Sequence, residues 1–276
     1  MEGAAAGHMI DLLVLGLPTL LVAVAMTMVG KGGGNFYVLI LALGNTPMHE
    51  AAATGQFMLL SASVSAALIF GRKGSICWPL ALVVGTSAAL AALGGGYFSH
   101  CFSGFSLKLI FSALLLISGA AMLAPRPVGR STARGPGSGI VDSGSGDETY
   151  RVNLWMALPA TALAGFASGM VGVSGGSFLV PLMVLACGLP MHVAVGTASV
   201  LVAATAFMGF AGHAVQGDFN PSSAIPLALV AVAGGLLGGR LSLKARPRHL
   251  GRLFAYTNWL AALAMILNAF HARGLG

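Results

Sequence analysis

Charge is what this sequence has least of. Only 8% of its 276 residues are Asp, Glu, Lys or Arg, against roughly a quarter in soluble domains. So little solvating surface excludes an ordinary water-soluble domain. Cysteine is scarcer still. Cys77, Cys101 and Cys187 form an odd, widely spaced set, which argues against a disulfide framework and lacks the clustered Cys/His spacing of a metal or redox centre. No enzyme motif stands in a usable context. "HEAAA" from His49 has Ala53 where a zinc protease needs its second histidine. "GKGGG" from Gly30 lacks the glycine, lysine and hydroxyl spacing of a phosphate-binding loop. "GVSGG" from Gly172 lies in an apolar run without the strand that a nucleophile elbow requires. No catalytic residue, cofactor or metal site is expected.

What is present is apolar length. Hydrophobic residues make up 57% of the chain and its mean hydropathy is +0.88. The expected fold is an all-α polytopic membrane protein. Five apolar segments occupy each half, at about 10–29, 35–45, 50–70, 77–97 and 106–124, then 153–171, 176–187, 190–212, 223–241 and 250–270. Most approach the twenty or so residues that carry a helix across a hydrocarbon core. The first reads as a span rather than a cleaved signal, because no basic stretch precedes it. The second segment of each half is short, and a broken or re-entrant helix is the alternative to a full crossing.

Between the halves, "PRPVGRSTARGPGSGIVDSGSGDETYR" is rich in Gly, Ser and Pro, the composition of a flexible linker. The expected organisation is therefore an N-terminal transmembrane repeat at 1–124, a cytoplasmic linker at 125–151 and a C-terminal transmembrane repeat at 152–276. The word repeat rests on landmarks inside the chain. Pro47-Met48-His49 returns as Pro190-Met191-His192, and the same offset of 143 sets Thr54 against Thr197, Gly74 against Gly217, Gly95-Gly96 against Gly238-Gly239 and Phe111 against Phe254. Shifted by one residue, Gly33-Gly34-Asn35-Phe36 matches Gly175-Gly176-Ser177-Phe178.

Charge places the halves in opposite orientations. Arg72-Lys73 follows the third segment, whereas the matching loop from Gly212 carries Asp218 and no Lys or Arg. "RLSLKARPRHLGR" from Arg240 is strongly basic, while its first-half counterpart "YFSHCFSGFS" has no Lys, Arg, Asp or Glu. With basic loops on the cytoplasmic side, the pattern gives two five-segment inverted repeats with broken or short helices at their Gly-rich motifs. The linker then lies inside and both termini outside. The formal charge of +7 is accounted for by these loops, so no nucleic-acid partner is expected. Membrane lipid is. Homo-oligomerisation is compatible with the sequence, since lipid-facing and partner-facing apolar surfaces look alike in it.

The breaks hold the candidate site. Gly32, Gly33, Gly34 and Asn35 in one half, and Gly175, Gly176 and Ser177 in the other, put small residues before a short helix. Asn35 or Ser177 is placed to cap it, and exposed amides at a helix start attract an anion. Lys31 is either a cation facing an anion pathway or a side chain snorkelling to the inner interface. Thr54 and Gln56, with Thr197 and Ser199, add neutral hydrogen-bonding groups beside the breaks; interhelical hydrogen bonds are their alternative use. His49 with Glu50, and His192, are candidates for proton coupling or simply helix starts. His100, His213 and His249 fall in expected loops. Gly85, Gly94-Gly95-Gly96 and "AGGLLGG" from Ala233 read as close helix packing.

"VGKGGGNFYV" at Val29 and "GMVGVSGGSFLVPLMV" at Gly169, each followed by a Pro-containing turn and a threonine-bearing "AATGQ" or "VGTAS", resemble the TauE/SafE family of sulfite and organosulfonate membrane transporters. The resemblance implies a bacterial cytoplasmic (inner) membrane protein. Its implied function is that of a secondary transporter of small sulfur-containing oxyanions such as sulfite, sulfoacetate or related organosulfonates, working by alternating access. It directs attention to Gly32, Gly33, Gly34, Asn35, Gly172, Gly175, Gly176 and Ser177. The first half departs from the pattern in having Leu39 where Pro181 stands in the second, and in carrying Lys31. An anion or small-solute channel, and a membrane scaffold or sensor, are the alternative functions.

Overall fold

The computed structural model of the chain describes residues 2–43, 46–98, 104–123, 140–145, 148–171, 175–186 and 189–274. The first half contains α1 (Glu2–Met28), α2 (Gly34–Leu43), α3 (Met48–Arg72), α4 (Trp78–Tyr97) and α5 (Gly104–Leu123). The second contains α6 (Leu154–Val171), α7 (Gly176–Pro181) continued by a π-helical turn at Leu182–Ala186, α8 (Met191–Val215), α9 (Pro221–Lys244) and α10 (Pro247–Gly274). Two strands intervene, β1 (Ile140–Ser145) and β2 (Glu148–Asn153), paired antiparallel with Ile140 opposite Asn153. The composition of the linker gave no sign of this hairpin, which occupies much of its second half and ends at Asn153, the first residue expected in the sixth helical segment.

Among the described residues, five helices are long and apolar enough to cross a membrane, at His49–Arg72, Trp78–Tyr97, Met191–Val215, Ala224–Lys244 and Pro247–Phe270, and shorter apolar helices occur at Leu15–Met28 and Leu158–Met170. The protein is an all-α polytopic membrane protein, the hairpin apart. Large apolar side chains such as Trp155, Leu163 and Leu229 lie exposed on its outside, as lipid contact requires.

Local chemistry explains the helix ends. Pro47 and Pro190 stand just before α3 and α8 with nearly the same backbone angles, φ −53 and −57, the values a proline ring imposes. Left-handed Gly74 and Gly217, φ 66 and 83, follow the same two helices, a conformation glycine adopts without a Cβ penalty. Asn220 caps α9 by accepting from the Ser222 amide at 3.2 Å. In α7, Pro181 withholds one backbone donor, and the wider π turn follows directly.

Packing is built on small residues. A Cβ on Gly169 would stand 2.0 Å from the Ala92 carbonyl, and one on Gly165 2.1 Å from that of Ala88, so α6 and α4 touch backbone to backbone. Close approach of this kind replaces the hydrophobic drive that lipid does not supply. In the contact pattern, α4 packs on α6 and α8, α9 on α1 and α3, α3 on α8, and α5 on α10.

Candidate functional site

The first break is a backbone reversal. Gly30, Gly32 and Gly33 take φ values of 77, 71 and 103, in the left-handed region where only glycine sits without strain. The space beside Gly32 is also occupied: a Cβ there would stand 2.5 Å from both Leu59 Cδ1 and Ser63 Oγ, side-chain ends that would have to shift. Gly34 opens α2. A ten-residue helix rises about 15 Å, half a hydrocarbon core.

The second break meets the first. A Cβ on Gly176 would lie 2.6 Å from the Gly30 carbonyl and 2.9 Å from Lys31 Cα, so the start of α7 rests directly on the reversal between α1 and α2. Gly175 has φ −60 and precedes α7 in helical geometry, unlike its left-handed counterpart Gly33. Because α7 begins at Gly176, Ser177 lies within the helix and does not cap it; the N-cap position belongs to Gly175. Asn35 likewise falls inside α2. Its side chain, and Gly172, lie outside the described residues.

Lys31 does not snorkel. It is 2% exposed, and its Nζ donates to the Phe254 carbonyl at 2.8 Å, to Thr257 Oγ1 at 2.8 Å and to Asn258 Oδ1, with the Phe254 ring centroid 4.0 Å away. These three oxygens, all on α10, demand donors. A carbonyl has no proton to give, the Thr257 hydroxyl donates to the Leu253 carbonyl at 2.7 Å, and Asn258 uses its amide nitrogen on Ser118 Oγ at 3.1 Å. Only an ammonium supplies three N–H groups, so the arrangement fits the charged lysine.

The chain of bonds continues. Ser118 Oγ donates to the backbone carbonyl of Ser177. A single hydrogen-bonded line thus runs from Lys31 in the first break through Asn258 on α10 and Ser118 on α5 to Ser177 in α7.

The remaining candidates divide. Gln56 donates to the Ser168 carbonyl at 3.0 Å, and Ser168 Oγ lies 3.5 Å from where a Gly175 Cβ would be, so Gln56 reaches the approach to the second break. Thr54 is buried, and its hydroxyl has no hydrogen-bond partner among the described residues. Thr197 instead accepts from the Cys77 amide at 3.0 Å, stitching α8 to the start of α4. Ser199 bonds within its own helix, to the Val195 carbonyl at 3.0 Å. His49 and Glu50 stand exposed and half-buried in the first turn of α3, and His192 half-buried in that of α8.

The expectation for His213 is overturned. It lies in the last turn of α8, not a loop, and is fully buried. Its Nε2 is 3.1 Å from the Gly169 carbonyl and its Nδ1 3.6 Å from Asp218 Oδ2. The helix runs farther than the "GHAVQGDFN" composition suggested, because left-handed Gly217 rather than Gly212 ends it. His249 likewise lies within α10, exposed, while His100 is outside the described residues.

Sequence reasoning missed Ser118, Phe254, Thr257 and Asn258. The available signal was the adjacent pair Thr257-Asn258 inside an apolar run, where polar groups are costly enough to need a partner.

A family profile described as "Sulfite exporter TauE/SafE" matches residues 15–265. The chain belongs to the TauE/SafE family. Its relatives include the "Probable membrane transporter protein YunE" of Bacillus subtilis, 25% identical over 252 residues, covering 86% of this chain and 89% of that protein. A "Probable membrane transporter protein" of Xylella fastidiosa is 26% identical over 241 residues, covering 85% and 87%. No solved structure matches the chain. Membership makes this TauE/SafE protein a polytopic membrane transporter rather than an enzyme, and a bacterial multi-pass inner-membrane protein.

Proposed function

We propose that the protein is a secondary transporter of a small sulfur-containing oxyanion, sulfite or an organosulfonate such as sulfoacetate, that works by alternating access between two inverted five-segment repeats. The observation that carries this reading is the meeting of the two breaks, with Gly176 against Gly30 and Lys31. Transporters of this architecture bind substrate where interrupted helices from the two repeats come together.

Further support comes from the helix pattern. α3 and α8 are each 25 residues long, and α3, α4 and α5 begin 143 residues before α8, α9 and α10. Exchanging the halves turns the α4 contacts with α6 and α8 into the α9 contacts with α1 and α3, and leaves the α3–α8 and α5–α10 pairs unchanged. Exposed Arg72, Lys73, Arg240, Lys244, Arg246 and Arg248 favour a cytoplasmic side bearing these loops and the central linker, with both termini outside. The sulfur chemistry rests on the family description, and the oxyanion class on a buried ammonium beside glycine amides.

Proteoliposome flux tests the reading. Labelled sulfite, sulfoacetate, taurine and sulfate are offered under imposed pH and voltage gradients, and saturable movement of sulfite or a sulfonate is expected. No flux of any of the four overturns the substrate class. Single-channel currents would replace alternating access with a channel.

A further inference from the structure

The side chains that carry the line from Lys31 to the Ser177 carbonyl have no polar counterparts at the corresponding positions of the other half. At the offsets that relate them, Lys31 corresponds to Val173, Ser118 to Ala261, Thr257 to Leu114 and Asn258 to Leu115. Each side-chain member of the cluster is polar, and each counterpart is apolar. A lysine that merely pinned a helix would need its acceptors, but not Ser118, which touches Asn258 and the carbonyl of the opposite break instead of the ammonium. All four therefore behave as one unit that reaches from break to break.

The cradle also has the form of a stand-in. Among the described residues, three oxygens of α10 accept from the Lys31 ammonium, the number that a sulfite or sulfonate group presents to a cation. We propose that Thr257 and Asn258 are positioning residues that hold the Lys31 ammonium in reserve, and that an oxyanion binds by exchanging its oxygens for theirs, which loosens Asn258 from Ser118 and Ser118 from the Ser177 carbonyl and frees the two breaks to move apart. The inference rests on the transporter reading above and adds to it the residues that couple binding to movement. A ligand shifts a conformational equilibrium only by preferring one state, and this exchange supplies the preference: the anion gains a charge-assisted contact that the tethered state reserves for Asn258.

Sulfite uptake into proteoliposomes, measured over a concentration series, separates the outcomes. Asn258→Asp keeps an acceptor on Lys31 but gives it a fixed negative charge, so the half-saturation concentration should rise by about tenfold or more. Asn258→Leu, which installs the residue of the other half, removes a competitor and should lower half-saturation by roughly threefold or more. Ser118→Ala cuts the line beyond Asn258 and should change the maximal rate by roughly threefold while half-saturation stays within about twofold. If Asn258→Leu does not fold, Thr257→Val removes a second acceptor and gives the same readout. The proposal is overturned if the two Asn258 variants move half-saturation in the same direction or leave it unchanged, since Lys31 would then only hold α10 in place. Wild-type protein that moves none of the four compounds sinks the transporter reading itself, whereas wild-type flux with unresponsive variants sinks the exchange alone.

Discussion

The Lys31 ammonium donates to the side-chain carbonyl of Asn258, 227 residues farther along the chain, and the amide nitrogen of the same asparagine holds Ser118 at 3.1 Å. One side chain therefore joins a cation at the first helix break to the helix that reaches the second. The physical demand is simple. A buried ammonium must be hydrogen-bonded on all three N–H groups, and α10 is the element that supplies those oxygens.

The contact between the breaks predicts a steric sensitivity. Gly176→Ala places a methyl group 2.6 Å from the Gly30 carbonyl, and overpacking of this kind costs about 1–3 kcal/mol. Thermal unfolding in detergent should show this loss. Gly16→Ala, with nothing within 4 Å of its added carbon, should leave stability the same or slightly higher.

The two threonines set against each other by the 143-residue offset, Thr54 and Thr197, should part company. Thr197→Val removes the acceptor of the buried Cys77 amide and should destabilise by about 1–3 kcal/mol. Thr54→Val should cost less than about 1 kcal/mol, because no bond to the Thr54 hydroxyl is present among the described residues. Comparing both melting temperatures with sulfite flux checks the pair: a stable Thr54→Val protein with reduced flux assigns that hydroxyl to the pathway.

Gln56→Leu removes the bond to the Ser168 carbonyl on the helix leading into the second break. A loss of about 1–2 kcal/mol is expected, readable as a lowered melting temperature.

His213 and Asp218 should be energetically coupled. Their atoms approach to 3.6 Å, and neighbouring polar pairs show interaction energies of about 0.5–3 kcal/mol in double-mutant cycles. His213→Ala, Asp218→Asn and the double variant, compared by thermal unfolding, should give a non-additive sum. Strict additivity would show that the pair does not interact in the folded protein.

The sequence carried the helices well where chemistry is local. Pro47 and Pro190 mark the starts of α3 and α8, left-handed Gly74 and Gly217 mark their ends, and apolar length marks the spans between. It carried α7 less well, since a short run does not announce how Pro181 will turn a helix into a π turn. His213 was misplaced because a Gly, His and Gln run reads as loop until packing against Gly169 shows that the helix continues through it.

By itself, the sequence determined the solvent, the family and the internal echo between the halves. Each depends on composition, periodicity or residues close together in the chain. Only the tertiary structure decided the use of Lys31. Whether a lysine at a helix break reaches the membrane surface or turns inward depends on where oxygen acceptors stand in space, and Phe254, Thr257 and Asn258 come within reach of it only after more than two hundred residues have folded back upon the first break.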